Sequence, residues 1–387
     1  MTIKSSIFAS AMTRFFFAIL PLMVCSMWAL HLLLDYLLNR TAVTLRLLVF
    51  CLTAVVLYAG HAVFFLRFNN LIPVSDMLYG MANLAVYPMY FLYIVQLTQG
   101  RLLPRHWLTL LPSVLCGVVY AVMYACMDEA ETLEFIEKYI YQESFTQMSS
   151  IGVALAWTHQ FFKLVFLWNV MLIGWLGFKH LHNFEHRMAQ MYADLEGRTL
   201  RPVHVMLMVF VFASLLSSVS IVVGRQFFQE SVSLLAIPSV VFSIMLYLVC
   251  YIGSRSMFSF ADFQAEHRQE IHDDLDEAVE TDEEMTSKIA LLARQIEELM
   301  TKEEFYLKPD LRVSDVAEKL GTNVKYISMA FNRVIGATFS DYVNRRRISH
   351  ANELHHHQPN LSMTEVAHRS GYDSMQSFYR NQKKWGG

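Results

Sequence analysis

The chain is poor in the residues and motifs by which most enzymes declare themselves. Its five cysteines, Cys25, Cys51, Cys116, Cys126 and Cys250, lie in apolar stretches without CxxC spacing, so neither a disulfide framework nor a zinc site is indicated. Small packing residues inside apolar segments are the simpler reading. There is no HExxH, GxSxG, Walker A loop or GxGxxG, which removes the recognised apparatus for hydrolysis, phosphoryl transfer and hydride transfer. No cofactor, no metal and no enzymatic activity are expected. Charge is scarce too: only 17% of the 387 residues are Asp, Glu, Lys or Arg, and the net charge is -3.

Apolar residues are abundant instead, at 55% with a mean hydropathy of +0.33, which points to lipid as one solvent of the chain. They are unevenly placed, because residues 1–260 hold nearly all the long apolar runs. A helix needs about 20 apolar residues to cross the hydrocarbon core. Seven stretches qualify, near 15–35, 46–66, 77–97, 107–127, 151–178, 203–224 and 234–253. The first is too long for a signal-peptide core and lacks a small-x-small cleavage site, so it reads as a membrane anchor.

Lys and Arg in the short loops set the orientation. Arg40, Arg46, Arg101, Arg105, Lys179, Arg187, Arg198, Arg201 and Arg255 lie on one side, and Lys4, Arg14, Arg67, Lys138 and Arg225 on the other. The expectation is a multi-pass membrane protein with its N-terminus outside and its C-terminus in the cytoplasm. Ionisable groups inside the bilayer are costly unless paired or hydrated, which singles out His31, Asp35, His61, His159 and Lys163. His159 and Lys163 share a helix face by their spacing and, with Asn169, form a candidate site for an unidentified signal ligand. Interhelical hydrogen bonding is the plainer alternative. His182 and His186 stand at i, i+4, a spacing used by metal sites on helices, but no Glu or Cys completes a set, and a juxtamembrane surface is expected.

Beyond the apolar half the charge separates. Residues 261–304 hold 15 Asp and Glu against 4 Lys and Arg, whereas residues 305–387 hold 7 against 12. The expected organisation is a membrane domain over 1–254, an acidic helical or coiled-coil linker over 255–304, and a basic C-terminal domain over 305–387. In the linker Met285, Ile289, Leu292, Ile296 and Leu299 recur at 4-3-4-3 spacing, the seam of a two-stranded coiled coil. Two heptads leave two readings open: a homodimer through this seam, or one amphipathic helix packed on its own domain. The acidic run Asp273-Asp274-Leu275-Asp276-Glu277 reads as solvated helix surface.

The C-terminal domain repeats one pattern over Val313–Arg333 and Met363–Lys384: a short apolar helix, a glycine turn and a second helix with polar outward positions. In the first copy Val313, Val316, Ala317 and Leu320 form an inner face, and Gly321 takes the turn. Asn323 caps the next helix. That helix is expected to bury Ile327, Phe331 and Val334 and to leave Lys325, Tyr326, Ser328, Met329, Asn332 and Arg333 nearer the surface. In the second copy Phe378 points inward, while Gln376, Ser377, Tyr379 and Arg380 are presented. Gln and Arg are bidentate readers of adenine and guanine. An amphipathic helix over 339–354 connects the two copies, with Arg345, Arg346 and Arg347 around its apolar face.

Several segments in order, Leu311-Arg312-Val313-Ser314-Asp315-Val316-Ala317, Gly336 to Phe339, Asn344 to Ile348 with Ala351, Glu365-Val366-Ala367 and Gly371-Tyr372, resemble the AraC/XylS family of bacterial transcription regulators over about residues 305–387. The resemblance implies a seven-helix double helix-turn-helix domain that lays two recognition helices in successive major grooves of double-stranded DNA. By position those contacts fall on Lys325, Ser328, Met329, Gln376, Ser377 and Arg380, and phosphate contacts on Arg333, Arg345, Lys383 and Lys384. The membrane half looks like a multi-pass variant of AraC-type regulators found in Bacteroidetes-like bacteria. Three departures stand out. Met329 replaces a common Arg, and Gln382 sits where an aromatic core residue is expected. The chain also ends before the family's closing Gly-x-x-Pro turn, so the second unit is expected to be truncated or incompletely packed. The all-α expectation therefore joins a seven-helix membrane bundle, a lipid bilayer and a DNA-reading tail. The competing expectation is a membrane scaffold or transporter-like protein whose tail binds a protein partner.

Overall fold

The computed structural model describes residues 2–196, 200–223, 232–255 and 282–386, and over these the chain is all-α, with one isolated antiparallel bridge between Tyr192 and Arg312. It divides into two compact units: Met1–Leu181 with Arg201–Ser256, and His182–Leu200 with Met257–Gly387. The acidic run at 273–277 lies outside the described residues.

The first unit is built from α1 (Thr2–Asn39), α2 (Ala42–Phe65), α3 (Ile72–Gln99), α4 (Leu111–Ala125), the short α5 (Glu129–Phe135), most of α6 (Ser150–Met191), α7 (Arg201–Val223) and α8 (Val232–Ser254). Among the described residues six helices are long and apolar enough to span a bilayer: Met12–Asn39, Ala42–Phe65, Asn69–Gln99, Pro104–Ala125, Ser150–Met191 and Leu234–Ser254. The seventh expected span falls on α7, of which Arg201–Phe212 is a shorter apolar helix among the described residues. Trp157, Phe161, Leu164 and Trp168 on α6 are all exposed, so this helix presents a large apolar outward face. The inner face packs by aromatic contact, with Tyr87 stacked on Phe210 at 4.6 Å and Phe50 beside Tyr90 at 5.4 Å. Local sequence ends these helices. Thr41 caps α2 by accepting from the Thr44 amide at 3.2 Å, and Gly100 closes α3 at φ 69°. Asp128 and Glu131 form a reciprocal box at the start of α5.

The second unit begins with the end of α6, then takes α9 (Asp282–Lys302), α10 (Val313–Leu320), α11 (Val324–Ala330), α12 (Phe339–His357), α13 (Met363–Arg369) and α14 (Met375–Trp385). Ile289, Leu292, Ile296 and Leu299 of α9 are buried in one core with Val316, Ile327, Phe331 and Phe339, and Met285 packs against its edge. This is the second of the two readings, one amphipathic helix packed on its own domain. The stripe is already covered by its own chain, and a two-stranded coil through the same residues would have to strip each from that core, at about 1.5–3 kcal/mol per side chain. Outside the core, Tyr342 and Arg346 of α12 both donate to the Glu297 carboxylate, and Arg346 Nη1 reaches Thr301 at 3.3 Å. The Tyr342 hydrogen bond, with the Arg346 charge, holds the Glu297 carboxyl below its usual range.

The three consecutive arginines of α12 part company. Arg345 is exposed and Arg346 half-buried, but Arg347 is 1% exposed. Its Nε donates to the Tyr306 carbonyl at 2.7 Å and its Nη2 to the Lys308 carbonyl at 2.6 Å, and the guanidinium lies 5.5 Å from the Tyr372 ring. Burial lowers the guanidinium's proton affinity, and the two carbonyls offset the cost of desolvating it.

Candidate nucleic-acid interface

Both predicted turns form. In the first, α10 ends at Gly321 with φ 62°, a left-handed conformation that an L side chain adopts only at a cost. The Thr322 amide bonds back to the Ala317 carbonyl at 2.9 Å, and the Asn323 side chain accepts from the Lys325 amide at 2.9 Å to start α11. In the second, Ser362 caps α13, Gly371 turns at φ 82°, and Ser374 caps α14 by accepting from the Ser377 amide at 3.1 Å. Gly371 is fixed by space as well as by φ, since a Cβ there would sit 2.7 Å from the Leu307 carbonyl oxygen.

The second helix of the first turn unit, α11, continues through a wider turn over Phe331–Ile335 and stops at Gly336, φ 70°. Lys325, Asn332 and Arg333 are exposed, and Ser328 and Met329 are half-buried, with Met329 against the core. Two expectations change. Tyr326 is buried at 2% because α9 crosses over it, with Lys288 Nζ 3.6 Å from its ring centre, whereas Val334 is 51% exposed on the wide turn.

In the corresponding helix of the second unit, α14, Gln376, Tyr379, Lys383 and Lys384 are exposed and Arg380 is half-buried. Ser377 is fully buried, and its hydroxyl donates to Asp194 Oδ1 at 2.7 Å. Arg380 Nη2 lies 3.3 Å from the same oxygen. Ser374 bonds to Glu196. Arg345 covers the Trp385 ring at 4.4 Å, and Lys384 pairs with Asp341 at 2.6 Å. Asp194 and Glu196 were missed by sequence reasoning. They follow an apolar helix more than 170 residues upstream, and no local pattern ties them to α14.

Of the ligand-sensing residues expected in the apolar half, His159 and Asn169 are buried and hydrogen-bonded. His159 is buried, with Nε2 2.8 Å from Asp76 Oδ2 and Nδ1 2.9 Å from the Leu155 carbonyl oxygen. Tyr124 donates to the same Asp76 oxygen at 2.9 Å. Asn169 donates to the Leu84 carbonyl at 2.9 Å, the interhelical bonding that was the plainer alternative, and Lys163 is half-buried on the same helix. A cavity of about 190 Å³ in this unit is lined by Tyr58, His61, Asp76, Tyr79, Asn83 and Ser239 among others, and His159, Lys163 and Asn169 are not in its wall. Among the described residues no cluster of three or more His, Cys, Asp or Glu could hold a metal ion.

A family model described as a helix-turn-helix domain matches residues 316–387. No curated protein and no solved structure matches the chain. The family match supports a DNA-binding transcription regulator of the AraC type, and no enzymatic family is indicated.

Proposed function

We propose that the chain is a membrane-anchored, sequence-specific DNA-binding regulator that couples a membrane or periplasmic signal to transcription, with its N-terminus outside and its C-terminal unit in the cytoplasm. The observation that carries this reading is the pairing of two capped helix-turn-helix units in one chain with six apolar helices of spanning length. Lys325, Ser328 and Met329 of α11 and Gln376 and Arg380 of α14 read base edges. Arg333, Arg345, Lys383 and Lys384 meet phosphates, which position the protein without specifying sequence. The signal is received in the first unit, where Asp76, the partner of His159, lines the cavity.

The test is fluorescence anisotropy with the full-length protein in lipid nanodiscs and a labelled duplex. Binding should weaken steeply as salt rises from about 50 to about 200 mM, because phosphate neutralisation releases counterions. Arg380→Ala should cost about 1–3 kcal/mol on a duplex selected for tight binding and much less on unrelated DNA, whereas Lys383→Ala should weaken both alike and lower the salt slope by about 1. Absence of binding at low salt by folded protein, or a C-terminal reporter lying outside the cell, would sink the reading in favour of a membrane scaffold.

A further inference from the structure

The groove between the two helix-turn-helix units is already occupied by the chain itself. Within the second unit the residues that follow α6 leave helical geometry and run as a short non-helical segment pinned by one isolated bridge. The Ala193 amide donates to the Leu311 carbonyl at 3.0 Å, and Tyr192 forms the antiparallel bridge with Arg312. The Ala193 carbonyl accepts from Ser340 Oγ at 2.9 Å and Asn344 Nδ2 at 2.7 Å, both on the helix that joins the two units, and Ala193 is buried in the core of the first. The next residue, Asp194, then takes the Ser377 hydroxyl and the Arg380 guanidinium of α14, and Glu196 takes the Ser374 cap of that helix.

We propose that residues 192–196 are a built-in competitor of duplex DNA, an acidic segment that holds the second reading helix in a non-binding state until it is withdrawn. The inference rests on the DNA-binding reading above. Its physical basis is substitution of one anion for another. Asp194 and Glu196 put two carboxylates at the N-terminal half of α14, where a base edge or phosphate would have to arrive. A phosphate approaching there meets like charge in a partly desolvated setting, where repulsion is screened less than in bulk water. The segment is held by neutral hydrogen bonds at Ala193 and by charge at Asp194, so removing the charge leaves the backbone seat intact. Chain connectivity places this segment at the end of a membrane-spanning helix, so a change in that helix is a route to withdrawing it. By linkage, DNA binding must favour the withdrawn state by the same factor.

The experiment compares the full-length protein in nanodiscs with its Asp194→Asn/Glu196→Gln variant on a labelled 40-base-pair mixed-sequence duplex. The variant should bind about tenfold more tightly, within the usual range of an intramolecular coupling. In parallel, hydrogen exchange on the unmodified protein should accelerate at residues 190–196 when the duplex is added. A variant that binds equally or more weakly, as it would if Asp194 only oriented Arg380 for DNA, overturns the inference and leaves the DNA-binding reading standing. Protection rather than acceleration at 190–196 does the same, even if the variant fails to fold. If neither protein binds duplex at any salt concentration, both readings fall together.

Discussion

The two helix-turn-helix units share a plan but not a foundation. The first is seated in a core of eighteen buried residues that draws on α9, Tyr306, Leu311 and the upstream residue Ala193 as well as on its own two helices. The second rests on six, Ile348, Ala351, Val366, Ala367, Tyr372 and Phe378, with Leu354, Leu361, Met363, Met375 and Trp385 half-buried around them. Domains gain stability with the apolar area they remove from water, so the first unit can stand as a fixed body while the second depends on its neighbours. The difference teaches where regulation is cheap. A helix on a small core, tied by hydrogen bonds and charge to an upstream segment as α14 is, can be shifted by a coupling of about 1–2 kcal/mol, whereas a shift of α11 would open the larger core.

The largest effect that could break this comparison comes from matched truncations. Phe331→Ala in the first core should cost about 3–5 kcal/mol and raise hydrogen exchange across α9, α10 and α11 together. Phe378→Ala should fall at the lower end of that range and confine its effect to α13 and α14, because its surroundings are few and partly solvated. Equal losses with equal spread would mean that the two units form one cooperative body and that the contrast in core size has no mechanical consequence.

Arg347 is the joint between them, and its replacement gives the next effect in size. Arg347→Lys keeps the charge but gives up the planar fork that reaches two carbonyls at once. One of the Tyr306 and Lys308 carbonyls then lacks a donor, at about 1–3 kcal/mol. Exchange should rise both at 306–308 and at 371–372. A rise on one side only would show that the guanidinium serves one unit rather than linking them.

Much of this arrangement was legible in the sequence, and what escaped has a common cause. The apolar runs, the glycine turns at Gly321 and Gly371 and the cap at Asn323 depend on residues close in the chain, and each formed where its spacing indicated. The 4-3-4-3 stripe of α9 was equally plain, but a stripe states only that something apolar covers it. Its own domain satisfied that demand before a second chain could. Tyr326, Ser377 and Arg347 had polar groups and so read as surface, yet each is buried because a distant segment supplies a partner: Lys288 over a ring, the Asp194 carboxylate, and two backbone carbonyls. Backbone carbonyls carry no sequence signature, and neither does the Ala193 segment, whose partners lie about 120–150 residues downstream.

The smallest effect sharpens the comparison most directly, because it adds to the weaker unit rather than damaging the stronger. Gln382 lies four residues after Phe378 and three before Trp385, so helix geometry puts all three on one face. That face is the one α14 turns to the smaller core, and Gln382 is half-buried there. An amide at such a position covers apolar neighbours with its stem but keeps its polar end toward water, forgoing part of the burial that an aliphatic residue would gain. Gln382→Leu should therefore stabilise the second unit by about 0.5–1 kcal/mol, roughly the worth of one further buried methylene. The change should slow exchange in α13 and α14 and leave α9–α11 as they were. If the small core is what makes the reading helix movable, the same variant should bind duplex DNA with unchanged salt slope, since no charge has been altered. A destabilised second unit would instead mean that the amide carries a hydrogen bond worth more than the packing it displaces, and that the unit is held by polar contacts more than by its core.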